Sequence, residues 1–379
     1  MGDPWEAATP PLGFNTWNRF GMSIDEDLIE GTIEAMVAQG LRDLGYGYLN
    51  IDDGWMAPER DRLGRLAPDP DRFPRGIRRL ADLAHRAGLR LGIYSDCGER
   101  TCGGLPASFG HEREDAESFA AWGCDFLKYD WCHVPFERFP GQSPAEVAKA
   151  LYGRMAEAVR AAGRPMLLSL CSWGIGEPWL WARGQWQMWR TTDDIVDAYR
   201  REGTGWTGDL LQVFHRNARL DEYAGPGGWN DPDMLEVGNG GMSDREQRSH
   251  FALWCLMAAP LLIGTDVRRM SDATRAILGN RELLAVDQDP LGRQARLLRS
   301  EEGLHLLVKP LAGGDLAVGV FNERDDEGEC RLDWDRLGAG ARRLVARDLW
   351  TGRERRVGGL EGSGVAPHAT EVWRLMSLD

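Results

Sequence analysis

At 379 residues and 42% apolar composition the chain has the length for about two domains and enough apolar mass for a large core. A formal charge of −14 argues against nucleic-acid and anionic-membrane partners, both of which favour basic surfaces. Residues 1–4 show no secretory n-region. The longest apolar run, 252–264, is too short to span a bilayer and contains Pro260, so a cytoplasmic protein, or a secreted one already trimmed of its signal, is expected. Seven cysteines without paired spacing, and seven histidines without an HExxH or HxH arrangement, predict neither a metal nor another cofactor.

Short apolar runs alternate with helix-like segments to about residue 285, the pattern of repeated βα units around a parallel sheet. Strands are expected at 12–17, 46–52, 89–94, 125–130, 166–171 and 187–191, with less distinct ones near Gly228 and Leu253. The apolar spacing predicts helices at 24–39, 77–87, 112–122, 145–162 and 272–278, several preceded by Ser or Asp cap candidates. Eight such α/β units close into a (β/α)8 TIM barrel. After 286–292 the pattern changes to strand-like runs at 304–309, 315–321, 329–333, 343–348 and 370–375, separated by Gly-rich or charged turns. The expected division is therefore a barrel over 1–288 and a small antiparallel β domain over 289–379, with no internal repeat and no low-complexity linker.

Polar and aromatic residues gather where the predicted strands end, and in a barrel those ends meet on one face. Trp17 closes the first strand, Asp52 and Asp53 the second, Tyr94 and Asp96 the third, and Lys128 and Asp130 the fourth. Ser172 and Trp173 follow the fifth, Arg190 with Asp193 and Asp194 the sixth, and Asp231 and Asp233 the seventh. The fourth strand is the most telling: period-2 geometry sends Leu127 and Tyr129 one way and Lys128 with Asp130 the other. Only three of the 45 Lys and Arg residues are lysines, and a charge aimed off an apolar strand costs several kcal/mol unless paired or put to use. Each residue also has a plain structural use. Paired Asp residues cap helices, tryptophans pack in cores, and Lys128 with Asp130 makes an ion pair.

Acidic groups beside aromatic platforms suit a sugar, because carboxylates accept hydrogen bonds from hydroxyls and a ring stacks on a pyranose face. Glycoside cleavage requires a carboxylate nucleophile or base and a protonated carboxyl acid, which an acid-rich pocket supplies. The same features fit a different class, a non-catalytic carbohydrate-binding protein. Nitrophenyl glycosides separate the two readings.

Six segments in order, 11–18 (PLGFNTWN), 48–55 (YLNIDDGW), 92–96 (GIYSD), 128–132 (KYDWC), 189–195 (WRTTDDI) and 225–234 (GPGGWNDPDM), resemble glycoside hydrolase family 27. This is the α-galactosidase and α-N-acetylgalactosaminidase family. The resemblance implies a barrel followed by a β-sandwich, a retaining double displacement without metal, and an oligosaccharide or glycoconjugate substrate. By motif position it implies Asp130 as nucleophile and Asp194 as acid/base. Trp17, Asp52, Asp53, Tyr94, Cys102, Lys128, Ser172, Trp173, Arg190 and Asp233 fall on sugar-side positions. Asp52 and Asp53 are expected to bind O4 and O6 of a galactose-configured ring. Cys102 and Cys132 lie where many members form a disulfide, whereas Cys97, Cys124, Cys171 and Cys255 are expected to be buried small side chains. A monomer or homodimer is expected.

Ser172 departs from the pattern, since typical α-galactosidases of this family carry Glu there to contact the sugar's 2-hydroxyl. A small residue leaves room for a 2-acetamido group, yet Ile175 is bulkier than the Ala of the animal acetamido-cleaving members. The expectation is thus an α-galactosidase first, an α-N-acetylgalactosaminidase second and a β-L-arabinopyranosidase third, with Glu177 an alternative pocket carboxylate.

Overall fold

The computed structural model describes residues 7–202, 205, 207–338 and 343–378, so residues 1–4 lie outside the described residues. Eight short strands form one parallel sheet: β1 (Leu12–Asn15), β2 (Tyr48–Asn50), β3 (Arg90–Asp96), β4 (Phe126–Asp130), β5 (Leu167–Leu170), β6 (Met188–Arg190), β7 (Trp229–Asp231) and β8 (Leu261–Ile263). Their order is β8-β1-β2-β3-β4-β5-β6-β7. Between β7 and β8 the circle is joined by a parallel bridge of Leu235 with Ile263, where the Leu235 N–H donates to Leu262 O at 2.7 Å. This is the expected α/β barrel.

Helices Glu26–Ala38, Ile77–Arg86, Glu112–Trp122, Pro144–Ala161 and Asp272–Leu278 end within two residues of the predicted positions. Asp25, Ser143 and Ser271 start three of them by accepting hydrogen bonds from first-turn N–H groups that have no helical partner. The eighth strand is not at Leu253. That residue lies in the helix Asp244–Leu256, opened by a Ser243–Glu246 capping box, and β8 follows at Leu261. Residues 251–265 are all buried, so the helix end and the strand read as one apolar run that periodicity cannot divide. The first strand also stops early: Trp17 opens the single helical turn Trp17–Phe20 rather than closing β1.

Beyond the barrel come β9 (Arg296–Glu301), β10 (Leu304–Pro310), β11 (Leu316–Asn322), β12 (Gly328–Asp333), β13 (Leu344–Asp348), β14 (Glu354–Val357), β15 (Leu360–Val365) and β16 (Thr370–Ser377). Six form an antiparallel sheet ordered β9-β10-β11-β16-β13-β14, and β12 pairs with β15. Val318, Val320, Leu332, Trp334 and Trp373 fill the space between these layers. The opposite face of the larger sheet is apolar too. Leu307, Ala317, Phe321 and Val372 share a core with barrel residues 251–257, each large one contributing about 1.5–3 kcal/mol of burial. Gly319 permits this approach, since a Cβ there would collide with Leu256. Among the described residues no helix is long and apolar enough to cross a membrane.

Candidate active site

The parallel order places the C-terminal ends of the barrel strands on one face, where two clusters of carboxylates form, each around one cation. Lys128 on β4 centres the first. Its Nζ lies 2.9 Å from Asp52 Oδ2 and 3.7 Å from Asp130 Oδ2, and 5.2 Å from the centre of the Tyr94 ring. Asn15 Nδ2 donates to the same Asp52 oxygen at 2.7 Å. Leu127 and Tyr129 point into the core, as the alternation predicts. Burial alone would lower the Lys128 ammonium, but Asp52, with Asp130 and Asp194 behind it, holds it well above its ordinary value. Burial likewise pushes the Asp130 carboxyl up to about 6; Lys128 pulls it down, while Asp194 and Asp52 push it up. Lys128 is thus what keeps Asp130 within reach of ionisation near neutrality.

The loops after β3 and β4 close around this cluster. Cys102 and Cys132 are bonded, with Cα atoms 5.2 Å apart, and the Tyr94 hydroxyl lies 3.6 Å from Cys102 Sγ. Buried Asp96 ties the same loops from beneath, accepting from Gly98 N–H at 2.7 Å and Cys132 N–H at 2.9 Å. Asp53 accepts from Gly54 N–H at 2.8 Å and Gly103 N–H at 2.7 Å. A Cβ at position 103 would displace the end of the Met22 side chain and sit 3.0 Å from the Asp53 carboxylate. Burial raises the Asp53 carboxyl, and these N–H groups offset part of the rise. Cys97, Cys124, Cys171 and Cys255 are free and buried, as expected, together with Cys330.

Arg190 on β6 centres the second cluster. Its Nη2 lies 2.9 Å from Asp194 Oδ1 and 3.1 Å from Asp233 Oδ2, and Nη1 is 3.5 Å from Cys171 Sγ. Asp233 has φ +80°, a conformation L residues rarely adopt. It is held by its own N–H donating to Asp231 Oδ1 at 2.9 Å, by Ile195 N–H donating to its Oδ2 at 2.8 Å, and by Trp254 Nε1 donating to its carbonyl at 2.8 Å. Burial pushes the Asp231 carboxyl to about 7 against the pull of Arg190. Asp193 is half-buried beside Asp194.

The remaining expected positions are less closely joined. Trp17 and Trp173 are partly buried, and Trp173 has φ +53°. Ser172 is fully buried and its Oγ donates to Ile175 O at 2.9 Å. Glu177 is exposed at the head of the 3₁₀ turn Pro178–Leu180, outside both carboxylate clusters. Asn15 and Cys171 join the clusters without having been expected at the site. The available signal was position, at the end of β1 and immediately after β5. Asp96, Cys102, Asp130 and Cys132 stand close enough to suggest a metal, but both sulfurs are spent in the disulfide.

A parallel barrel with an acid-rich mouth, followed by a β-sandwich, fits a glycoside hydrolase, and the family models and relatives place the protein in that class. Residues 9–289 match the family described as alpha galactosidase A, and residues 301–375 the alpha galactosidase C-terminal beta sandwich domain. The chain belongs to glycoside hydrolase family 27, the α-galactosidase family. It is 46% identical to alpha-galactosidase A of Cellvibrio japonicus over 331 residues, 86% of this chain and 79% of that protein. It is 44% identical to an alpha-galactosidase of Oryza sativa subsp. japonica, covering 97% and 84%. The crystal structure of alpha-galactosidase I from Mortierella vinacea superposes with a TM-score of 0.93 at 35% identity, covering 98% of both chains.

Proposed function

We propose that the chain removes terminal α-D-galactosyl residues from oligosaccharides or glycoconjugates with retention of configuration, residues 1–288 carrying the chemistry. The observation that carries this reading is the pair Asp130 and Asp194, each held beside its own cation at one barrel mouth. Asp130 attacks the anomeric carbon while Asp194 protonates the departing glycosidic oxygen. Asp194 then takes a proton from water, whose oxygen attacks the same carbon, breaks the bond to Asp130 and restores the original configuration. Asp52 and Asp53, with Lys128, receive the ring hydroxyls that distinguish an axial O4. A sugar with that hydroxyl misplaced leaves buried carboxylates unpaired. Trp17, Tyr94, Trp173, Arg190 and Asp233 complete the sugar side, with the Cys102 disulfide at its rim.

Buried Ser172 favours one second reading, cleavage of α-N-acetylgalactosaminides. Nitrophenyl α-galactoside, α-N-acetylgalactosaminide and β-L-arabinopyranoside should be assayed side by side. The α-galactoside is expected to have the highest kcat/KM, with the α-anomer of galactose as the first product seen by NMR. A higher kcat/KM for the acetamido sugar establishes the second reading, and no turnover of any of the three contradicts both. Sedimentation separates the two expected states, monomer and homodimer.

A further inference from the structure

The helix Leu210–Asn217 meets the β domain, and there two imidazoles and a carboxylate converge. His215 lies in the last turn of that helix, His305 on β10, and Glu323 immediately after β11. His215 Nε2 lies 2.7 Å and His305 Nε2 3.1 Å from one oxygen, Glu323 Oε2. The three atoms all fall within 4.8 Å of one another.

His305 is the informative member. It is 2% exposed, and its ring is stacked on Phe321 and edged by Phe214 and His215. Ser300 Oγ occupies its Nδ1 side at 2.9 Å. Its Nε2, aimed into the cluster, faces the Glu323 carboxylate at 3.1 Å off the alignment of a full hydrogen bond. A buried nitrogen paired this loosely recovers only part of the hydration it gives up. Nothing in the glycosidase chemistry uses this nitrogen.

We propose that His215, His305 and Glu323 bind one divalent transition-metal ion of the Zn²⁺ type, which pins the β domain to the barrel. Two imidazole nitrogens and one carboxylate oxygen form a donor set suited to zinc, with water as the fourth ligand. Ser300 occupies the outer position that orients a ligating imidazole. Ligands on a tetrahedral zinc stand about 3.3 Å apart, which follows from bonds of about 2.0–2.1 Å, so small side-chain shifts admit the ion. His215 and Glu323 are partly exposed, with side chains 36% and 22% accessible, leaving a path from solvent. The ligands come from distant points of the chain, so no spaced histidine motif announces them.

The test uses the full chain, stripped with chelator and titrated with Zn²⁺ alone by calorimetry, with thermal unfolding followed in parallel. Uptake of one Zn²⁺ per chain is expected, with a Tm rise of a few degrees at a hundredfold excess over Kd. His215→Gln and Glu323→Gln should each abolish both effects while unfolding near the stripped wild-type Tm. Co²⁺ should give intense visible bands in the wild type and none in either variant, a readout that loss of an ordinary hydrogen bond does not produce. No stoichiometric Zn²⁺ uptake by the wild type, or uptake retained in both variants, overturns the proposal. Should one variant misfold, the other and the Co²⁺ spectrum of the wild type still decide it.

Discussion

The two cations at the barrel mouth serve carboxylates of unlike exposure. Around Lys128 both partners are sealed in, with the Asp52 and Asp130 side chains 1% and 6% accessible. Around Arg190 one partner, Asp233, is equally sealed, but the Asp194 side chain is 42% accessible. The difference matches the work proposed for each. A nucleophile gains from a fixed position and from the absence of competing water. An acid/base must meet a leaving group and then a water molecule, so it has to face the opening. One cation therefore keeps a buried carboxylate ionisable, and the other holds an exposed one at the opening.

Breaking the sealed side should have the largest effect. Asp130→Asn is expected to lower kcat on nitrophenyl α-galactoside by about 10³-fold or more with unchanged circular dichroism. Substantial residual activity would remove Asp130 from the nucleophile role. On the open side, Asp194→Ala should cost about 10²–10⁴-fold on a natural disaccharide, where the leaving oxygen needs a proton. The loss in kcat/KM should be far smaller with a dinitrophenyl leaving group, although kcat on that substrate still falls because release of the sugar from Asp130 needs the base; an equal loss of kcat/KM on both substrates contradicts the acid role.

Two smaller effects sharpen the electrostatic half of the comparison. Asp130, with its carboxyl near 6, must be ionised to attack, so kcat/KM should rise with pH through that region. Lys128→Met should move this limb to higher pH, because burial then acts unopposed; an unmoved limb means Lys128 does not keep the nucleophile ionised. The last effect concerns stability. In the folded state Asp130 binds its proton more tightly than the ordinary 3.8 of an unfolded chain, so ionising it between about pH 4 and 6 disfavours the native state. Asp130→Asn removes that burden and should be more stable than wild type at pH 7.5, on the order of 1–3 kcal/mol, with the gap closing by pH 4. Thermal unfolding at the two pH values checks both the sign and the window.

Much of this arrangement is legible in the chain itself. The alternation Leu127–Lys128–Tyr129–Asp130 predicts which side chains enter the core and which enter the barrel, and the helix ends follow capping residues such as Ser143. The unread parts have identifiable causes. The second half of the helix Asp244–Leu256, buried on every side from Phe251 onward, merges with β8 because neither stretch shows a polar face. Strands β9 and β14 are largely exposed and charged, so they carry little apolar pattern. The left-handed backbone of Asp233 leaves no mark in composition, since hydrogen bonds from distant residues impose it. His215, His305 and Glu323 are brought together only by the seam between the domains.

The most direct measurement is to trap the enzyme with a 5-fluoro-α-galactosyl fluoride and locate the sugar by peptide mass spectrometry. The proposed mechanism predicts one fluorogalactosyl group per chain, esterified to Asp130 and slowly released by water. A sugar on another residue, or inactivation without any covalent adduct, contradicts it.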